Sequence, residues 1–148
     1  MSTLDVTLSI EIAQRISTNS PNCFDNAYQA ALVTVDSMYV QGFLVAAVEP
    51  YVPIEYAWIE IEERIIDPTL LYLHKNQQEL YYFPAQSLSV QQLTQAIEEA
   101  QEDYPEDDPL PIYGMPPYDY YGEVMLGGTE YSAAYSAAIA KCQELNSK

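Results

Sequence analysis

The middle of the chain constrains the fold most. From Met38 to Phe83 the sequence consists of short β-branched and aromatic runs broken by proline and polar turns. Met38–Val48 reads as a strand that Pro50 and Pro53 interrupt. Glu55–Glu62 alternates, with Ala57, Ile59 and Ile61 on one side and Tyr56, Trp58, Glu60 and Glu62 on the other. Arg64–Asp67 reads as a short return strand closed by Asp67-Pro68-Thr69. Leu70–Leu73 and Leu80–Phe83 are expected to add further strands around the polar turn His74–Glu79.

Helical spacing flanks this centre. Ser2-Thr3 is the expected cap of a first helix on Leu4, Leu8, Ile12 and Ile16, although Val6, Leu8, Ile10 and Ile12 also alternate as a strand would. After the turn Thr18–Asn22, a second helix is expected from about Cys23 to Val35 on Phe24, Ala27, Tyr28, Ala31 and Leu32. Ser89 and Gln92 form a capping-box pair that opens a helix over Val90–Asp103, burying Leu93 and Ile97. Tyr104–Tyr121 is rich in proline and tyrosine and reads as an irregular loop, either a protein-binding surface or a loop anchored over the core. A last helix, Glu130–Leu145, carries Tyr131, Tyr135, Ala138, Ile139 and Cys142 on one face. The expected class is α+β: an antiparallel sheet of about four to five strands packed with N-terminal and C-terminal helices. The length of 148 residues fits a single domain, 1–148.

Charge narrows the partners. There are 22 Asp and Glu against 5 Lys and Arg, a formal net charge of −17. Such a chain repels nucleic acid and anionic membrane surfaces and attracts cations or basic protein patches. Two cysteines are too few for a disulfide framework. Met1–Asp5 shows no leader pattern, and no stretch approaches the roughly 20 apolar residues of a membrane span. The expectation is a cytoplasmic monomer with reduced thiols.

The carboxylates concentrate at two loci. Glu98, Glu99, Glu102, Asp103, Glu106, Asp107 and Asp108 fall within eleven residues and straddle the end of the third helix. Glu98 stacks over Glu102 and Glu99 over Asp103, where the helix macrodipole already disfavours negative charge. A cation would relieve that repulsion. Ca²⁺ takes about 6–8 oxygen ligands in forgiving geometry, so it ranks before Mg²⁺, which prefers strict octahedral sites. The alternative is an ordinary solvated acidic face. Glu60 and Glu62, with Asp36 before the preceding strand, are the second candidate set, against the alternative of a plain polar sheet face. No EF-hand or repeat-type Ca²⁺ loop is present. His74, the one histidine, has no nearby histidine or cysteine with which to build a Zn²⁺ site.

One constellation points elsewhere. Asn22-Cys23-Phe24-Asp25-Asn26-Ala27 opens a helix. Tyr39-Val40-Gln41-Gly42, Ile54-Glu55-Tyr56-Ala57-Trp58 and Ile66-Asp67-Pro68-Thr69 follow it. Over about residues 20–70 this resembles the small papain-like and transglutaminase-like cysteine families of bacteria and phages, in which a helix-start cysteine, a strand histidine and an acid form a triad. The resemblance implies Cys23 as the nucleophile position and Asp67 as the orienting acid, but Tyr56 stands where the histidine belongs. A phenol with a reference pKa near 10 is a poor general base at neutral pH, and Cys23 loses the imidazolium that would stabilise its thiolate. The expectation is therefore a non-catalytic relative rather than an enzyme.

As a whole, the chain is similar to the small acidic calcium-binding proteins of cyanobacteria that lack EF-hands. The Glu98–Asp108 cluster and the carboxylate excess carry that likeness, which implies reversible Ca²⁺ buffering. Two alternatives stand beside it: a thiol hydrolase relative, and an acidic adaptor for a basic protein partner.

Overall fold

The computed structural model describes residues 3–17, 21–46, 51–72, 80–106, 119–121, 124–126 and 129–147. The fold is α+β. Strand β1 (Thr3–Leu4) leads into helix α1 (Val6–Arg15), and helix α2 spans Cys23–Val33. Strands β2 (Met38–Ala46), β3 (Ile54–Ile61) and β4 (Arg64–Ile66) follow, then a 3₁₀ turn at Leu70–Tyr72. Strand β5 (Leu80–Ser89) runs directly into helix α3 (Val90–Asp103). A hairpin of β6 (Asp119–Tyr121) and β7 (Val124–Leu126) precedes helix α4 (Thr129–Asn146). The main sheet has the order β1-β4-β3-β2-β5.

Several expectations need correction. The sheet is mostly antiparallel, as expected, but β1 pairs in parallel with β4 through Thr3↔Arg64 and Leu4↔Ile65. The Thr3 N–H donates to the Glu63 carbonyl at 3.0 Å and the Asp5 N–H to the Ile65 carbonyl at 2.9 Å. Sheet pairing thus claims the residues before Asp5. Asp5, not Ser2-Thr3, caps α1 by accepting the Leu8 N–H at 2.9 Å. Leu70–Leu73 is not a strand: Leu70–Tyr72 is 3₁₀, and Leu73 lies outside the described residues. The Asp67 carboxylate accepts the Thr69 N–H at 2.9 Å and the Asp67 carbonyl accepts the Leu70 N–H at 3.1 Å. Those bonds tighten the chain into a turn before a strand can start. The strand expected at Leu80–Phe83 extends to Ser89 and contains Pro84, which the sheet tolerates because β5 is an edge strand. Part of the expected loop Tyr104–Tyr121 is strand β6. Tyr104–Glu106 form an exposed turn after α3, and 107–118 lie outside the described residues.

Other segments follow the expected logic. The Ser89 hydroxyl accepts the Gln92 N–H at 3.2 Å while the Gln92 side chain accepts the Ser89 N–H at 2.9 Å, and α3 runs from Val90 to Asp103. The Arg64–Ile66 return strand pairs antiparallel with β3 through Ile61↔Arg64 and Ile59↔Ile66. The alternation of β3 does not divide it into a core face and a polar face. Tyr56, Ala57, Trp58 and Ile59 are all buried, so the strand is covered on both sides.

The chain forms two compact units. The first comprises Met1–Val40, Ala57–Lys75 and Ser87–Ile112. Its core joins Ile12 of α1, the alanines Ala27, Ala30 and Ala31 of α2, and Leu93 and Ile97 of α3 to the strand residues Tyr39, Ala57, Ile59 and Ile66. The alanine stripe gives α2 a flat buried face. The second comprises Gln41–Tyr56, Asn76–Gln86 and Tyr113–Lys148. Its core packs Phe43, Val45 and Ala85 against Ala134, Ala138 and Cys142 of α4. Those last three are spaced four apart and mark the buried stripe of the helix. Tyr135 and Leu145 are half-buried beside it.

Candidate functional site

The acidic end of α3 is built by a helix that stops without a countercharge. Glu98, Glu99, Glu102 and Asp103 are exposed on α3, and Glu106 is exposed in the turn after it. The Tyr104 N–H closes the helix on the Ala100 carbonyl at 2.8 Å, and no basic residue lies in the last turn. None of these five carboxylates forms an ion pair with a described residue; the one polar contact among them is a long Gln95 Nε2 to Glu99 Oε1 bond at 3.4 Å. Asp107 and Asp108 lie outside the described residues. The negative end of the macrodipole and the stacked carboxylates add here, so the site attracts cations.

The second set does not assemble as expected. Glu60 lies on β3 and accepts the Trp58 Nε1–H at 2.8 Å. Glu62 does not share its strand face, because β3 ends at Ile61 and Glu62 sits in the turn with φ 50°. Asp36 is an exposed turn residue with φ 62°. Among the described residues no three His, Cys, Asp or Glu side chains converge to hold a metal ion. Among the described residues the carboxylates thus form a charged surface and not a preformed cage. His74 lies outside the described residues.

The Cys23 and Asp67 constellation has a more definite geometry. Asn22 caps α2, its side chain accepting the Asp25 N–H at 3.2 Å, which places Cys23 at the first helical position, buried. One turn on, Asn26 donates from Nδ2 to the Thr69 hydroxyl at 3.1 Å. Asp67 is fully buried and is held from two sides. Its Oδ1 accepts the Thr69 N–H, and its own N–H donates to the Ser9 hydroxyl at 2.9 Å. Ser9 in turn donates to the Asp5 carbonyl at 2.6 Å. Three segments distant in sequence, the starts of α1 and α2 and the turn after β4, thus share one buried polar network. Such a network rigidifies its surroundings when every member is satisfied.

Comparison with protein-family models, curated proteins and solved structures finds no match. The chemistry therefore rests on the residues themselves. Tyr56 is buried on β3 and its ring lies 6.5 Å from that of Tyr82, tilted by 58°. A phenol stands at this strand position in place of an imidazole. The other thiol, Cys142, is buried on α4, and loss of solvation pushes it above the ordinary thiol range.

In sequence, Asn26 and Thr69 fall within the family-like runs without a role for either, and Ser9 is not singled out. Thr69 was legible as the receiving end of an Asp-Pro-Thr turn, since an Asp side chain bonds the N–H two residues on. No local pattern gave Ser9 or Asn26 its partner, because those partners are 58 and 43 residues away.

Proposed function

We propose that the protein binds divalent cations, Ca²⁺ before Mg²⁺, and buffers them loosely without catalysing a reaction. One observation carries this reading: the five described carboxylates at the end of α3 are exposed and have no cationic partner among the described residues. A net charge of −17 strengthens the attraction for any small cation. The absence of a converging trio among the described residues argues for modest affinity and fast release, which suit a buffer. The likeness to the small acidic calcium-binding proteins of cyanobacteria agrees with this reading.

Calorimetry at physiological ionic strength tests it. Ca²⁺ is expected to give a measurable binding heat, and the combined change Glu102→Gln, Asp103→Asn and Glu106→Gln is expected to weaken binding several-fold. No heat from the unaltered chain sinks the proposal. Unchanged affinity in the triple variant moves the site elsewhere. Trp58 helps here, because its indole bonds Glu60: a fluorescence change on Ca²⁺ addition that survives the triple variant points to Glu60.

A second reading is favoured by the Asn26–Thr69 bond, which links the helix that starts at Cys23 to the turn that holds Asp67. In it, the chain is a papain-like or transglutaminase-like relative that keeps the scaffold and has lost the base. Iodoacetamide at neutral pH should then modify Cys23 no faster than the desolvated Cys142 in the folded protein. Rapid, selective labelling of Cys23 overturns the loss of reactivity and restores an enzymatic role.

A further inference from the structure

The second unit contains a cavity of about 420 Å³. Phe43 of β2 and Tyr135 of α4 form part of its lining, their rings meeting edge to face with centroids 5.4 Å apart. Ile139, one turn further along α4, and the Val52–Ile54 approach to β3 add aliphatic surface. Val52 is 51% and Ile54 44% exposed, so the apolar surface continues outward to solvent. Glu55 is the one charged residue among the described lining residues, and its Oε2 atom is buried.

That combination selects a ligand class. The volume suits a small molecule, since such pockets span roughly 300–1,000 Å³. An anion is opposed by Glu55 and by the charge of the whole chain. A hydrated metal ion gains nothing from Phe43, Tyr135 and Ile139. An ammonium on an apolar body matches both parts of the lining. Its N–H groups form charge-assisted bonds to a carboxylate, and its charge is attracted to aromatic faces. Its body covers the aliphatic wall. Glu55 also has interactions of its own within the protein, and a carboxylate offers about four acceptor positions, so a further donor can be added.

We propose that this cavity binds small organic ammonium ions, with a primary amine directed to Glu55 and a short aryl or alkyl body against Phe43, Tyr135 and Ile139. Phenethylammonium is a suitable probe, and 2-phenylethanol is its uncharged counterpart of similar size. Titration of the full chain with phenethylammonium, followed through the methyl resonances of Ile54 and Ile139, should shift both. The alcohol should bind about tenfold more weakly or worse, the margin expected for a bond to a charged acceptor. Glu55→Gln should bring the two probes within about twofold of each other by removing that charge. Saturating Ca²⁺ should leave amine binding in place, which separates this site from the carboxylates of α3. Equal affinity for the two probes in the unaltered chain overturns the proposal, and that comparison needs no variant to fold. Methyl resonances that do not move, or amine binding abolished by Ca²⁺, also overturn it.

Discussion

Gly42 is the position at which a single atom decides the packing of the second unit. A β-carbon there would press on the Phe83 carbonyl oxygen and lie 2.9 Å from the Pro84 Cα, both main-chain atoms of β5. Neither can swing aside as a side chain would, so β2 and β5 would have to separate. Gly42→Ala is expected to cost about 2 kcal/mol or more, toward the upper part of the overpacking range. For a chain of this size that is a fall in Tm of about 4–8 °C. Thermal unfolding checks it, and a variant as stable as the parent would mean that the strands do not approach this closely. Sequence reading placed Gly42 in a strand and in a family-like Tyr-Val-Gln-Gly run, yet gave no reason for the glycine. The reason is a strand about 40 residues away in the chain, which no local pattern encodes.

At the scale of elements, the β3–β4 hairpin carries a local conflict. Ile61 pairs with Arg64, leaving Glu62 and Glu63 as a two-residue turn. Their φ values are 50° and 66°, so both are left-handed. Turns of this kind favour Asn-Gly, because a left-handed residue with an ordinary side chain is strained by roughly 1–2 kcal/mol. Two adjacent carboxylates add repulsion. Replacing the pair by Glu62→Asn and Glu63→Gly is expected to stabilise the chain by about 1–2 kcal/mol. The Thr3 bond to the position-63 carbonyl survives, since it uses only main chain. A denaturant titration showing no gain in midpoint would mean the turn is not strained. This hairpin also shows where sequence is an uneven guide. The return strand was legible from Arg64–Asp67, and α3 was legible to the residue, because Ser89 and Gln92 state its start locally. The bounds of β3 were displaced by one residue, Glu55–Glu62 against the observed Ile54–Ile61, and that sufficed to move Glu62 from a strand face into a turn. The strand at Leu70–Leu73 failed for a similar reason. Four residues of apolar character fit several conformations, and the buried Asp67 side chain selects the 3₁₀ turn.

For the whole molecule, the governing quantity is charge. The total was readable at once from composition, and so was its concentration after α3. Whether carboxylates converge is a question of tertiary geometry, which composition does not encode, and among the described residues they do not. The candidate site is therefore a charged surface. Two effects then need to be separated. Any salt screens repulsion among surface carboxylates, since the Debye length falls to about 8 Å near 0.15 M ionic strength. A cation that binds the folded chain stabilises it further by mass action, by about 2.7 kcal/mol when its concentration is 100-fold above Kd. Unfolding followed at matched ionic strength distinguishes them. In about 0.15 M NaCl, to which millimolar Ca²⁺ adds little ionic strength, about 1 mM Ca²⁺ is expected to raise Tm by a few degrees. Mg²⁺ should raise it less, because it gives up its water shell reluctantly. The combined change Glu102→Gln, Asp103→Asn and Glu106→Gln should raise Tm in the absence of Ca²⁺, by relieving repulsion at the helix terminus, and should shrink the increment that Ca²⁺ adds. If Ca²⁺ and NaCl act alike once ionic strength is matched, the carboxylates serve only as a solvated surface, and buffering is not their function.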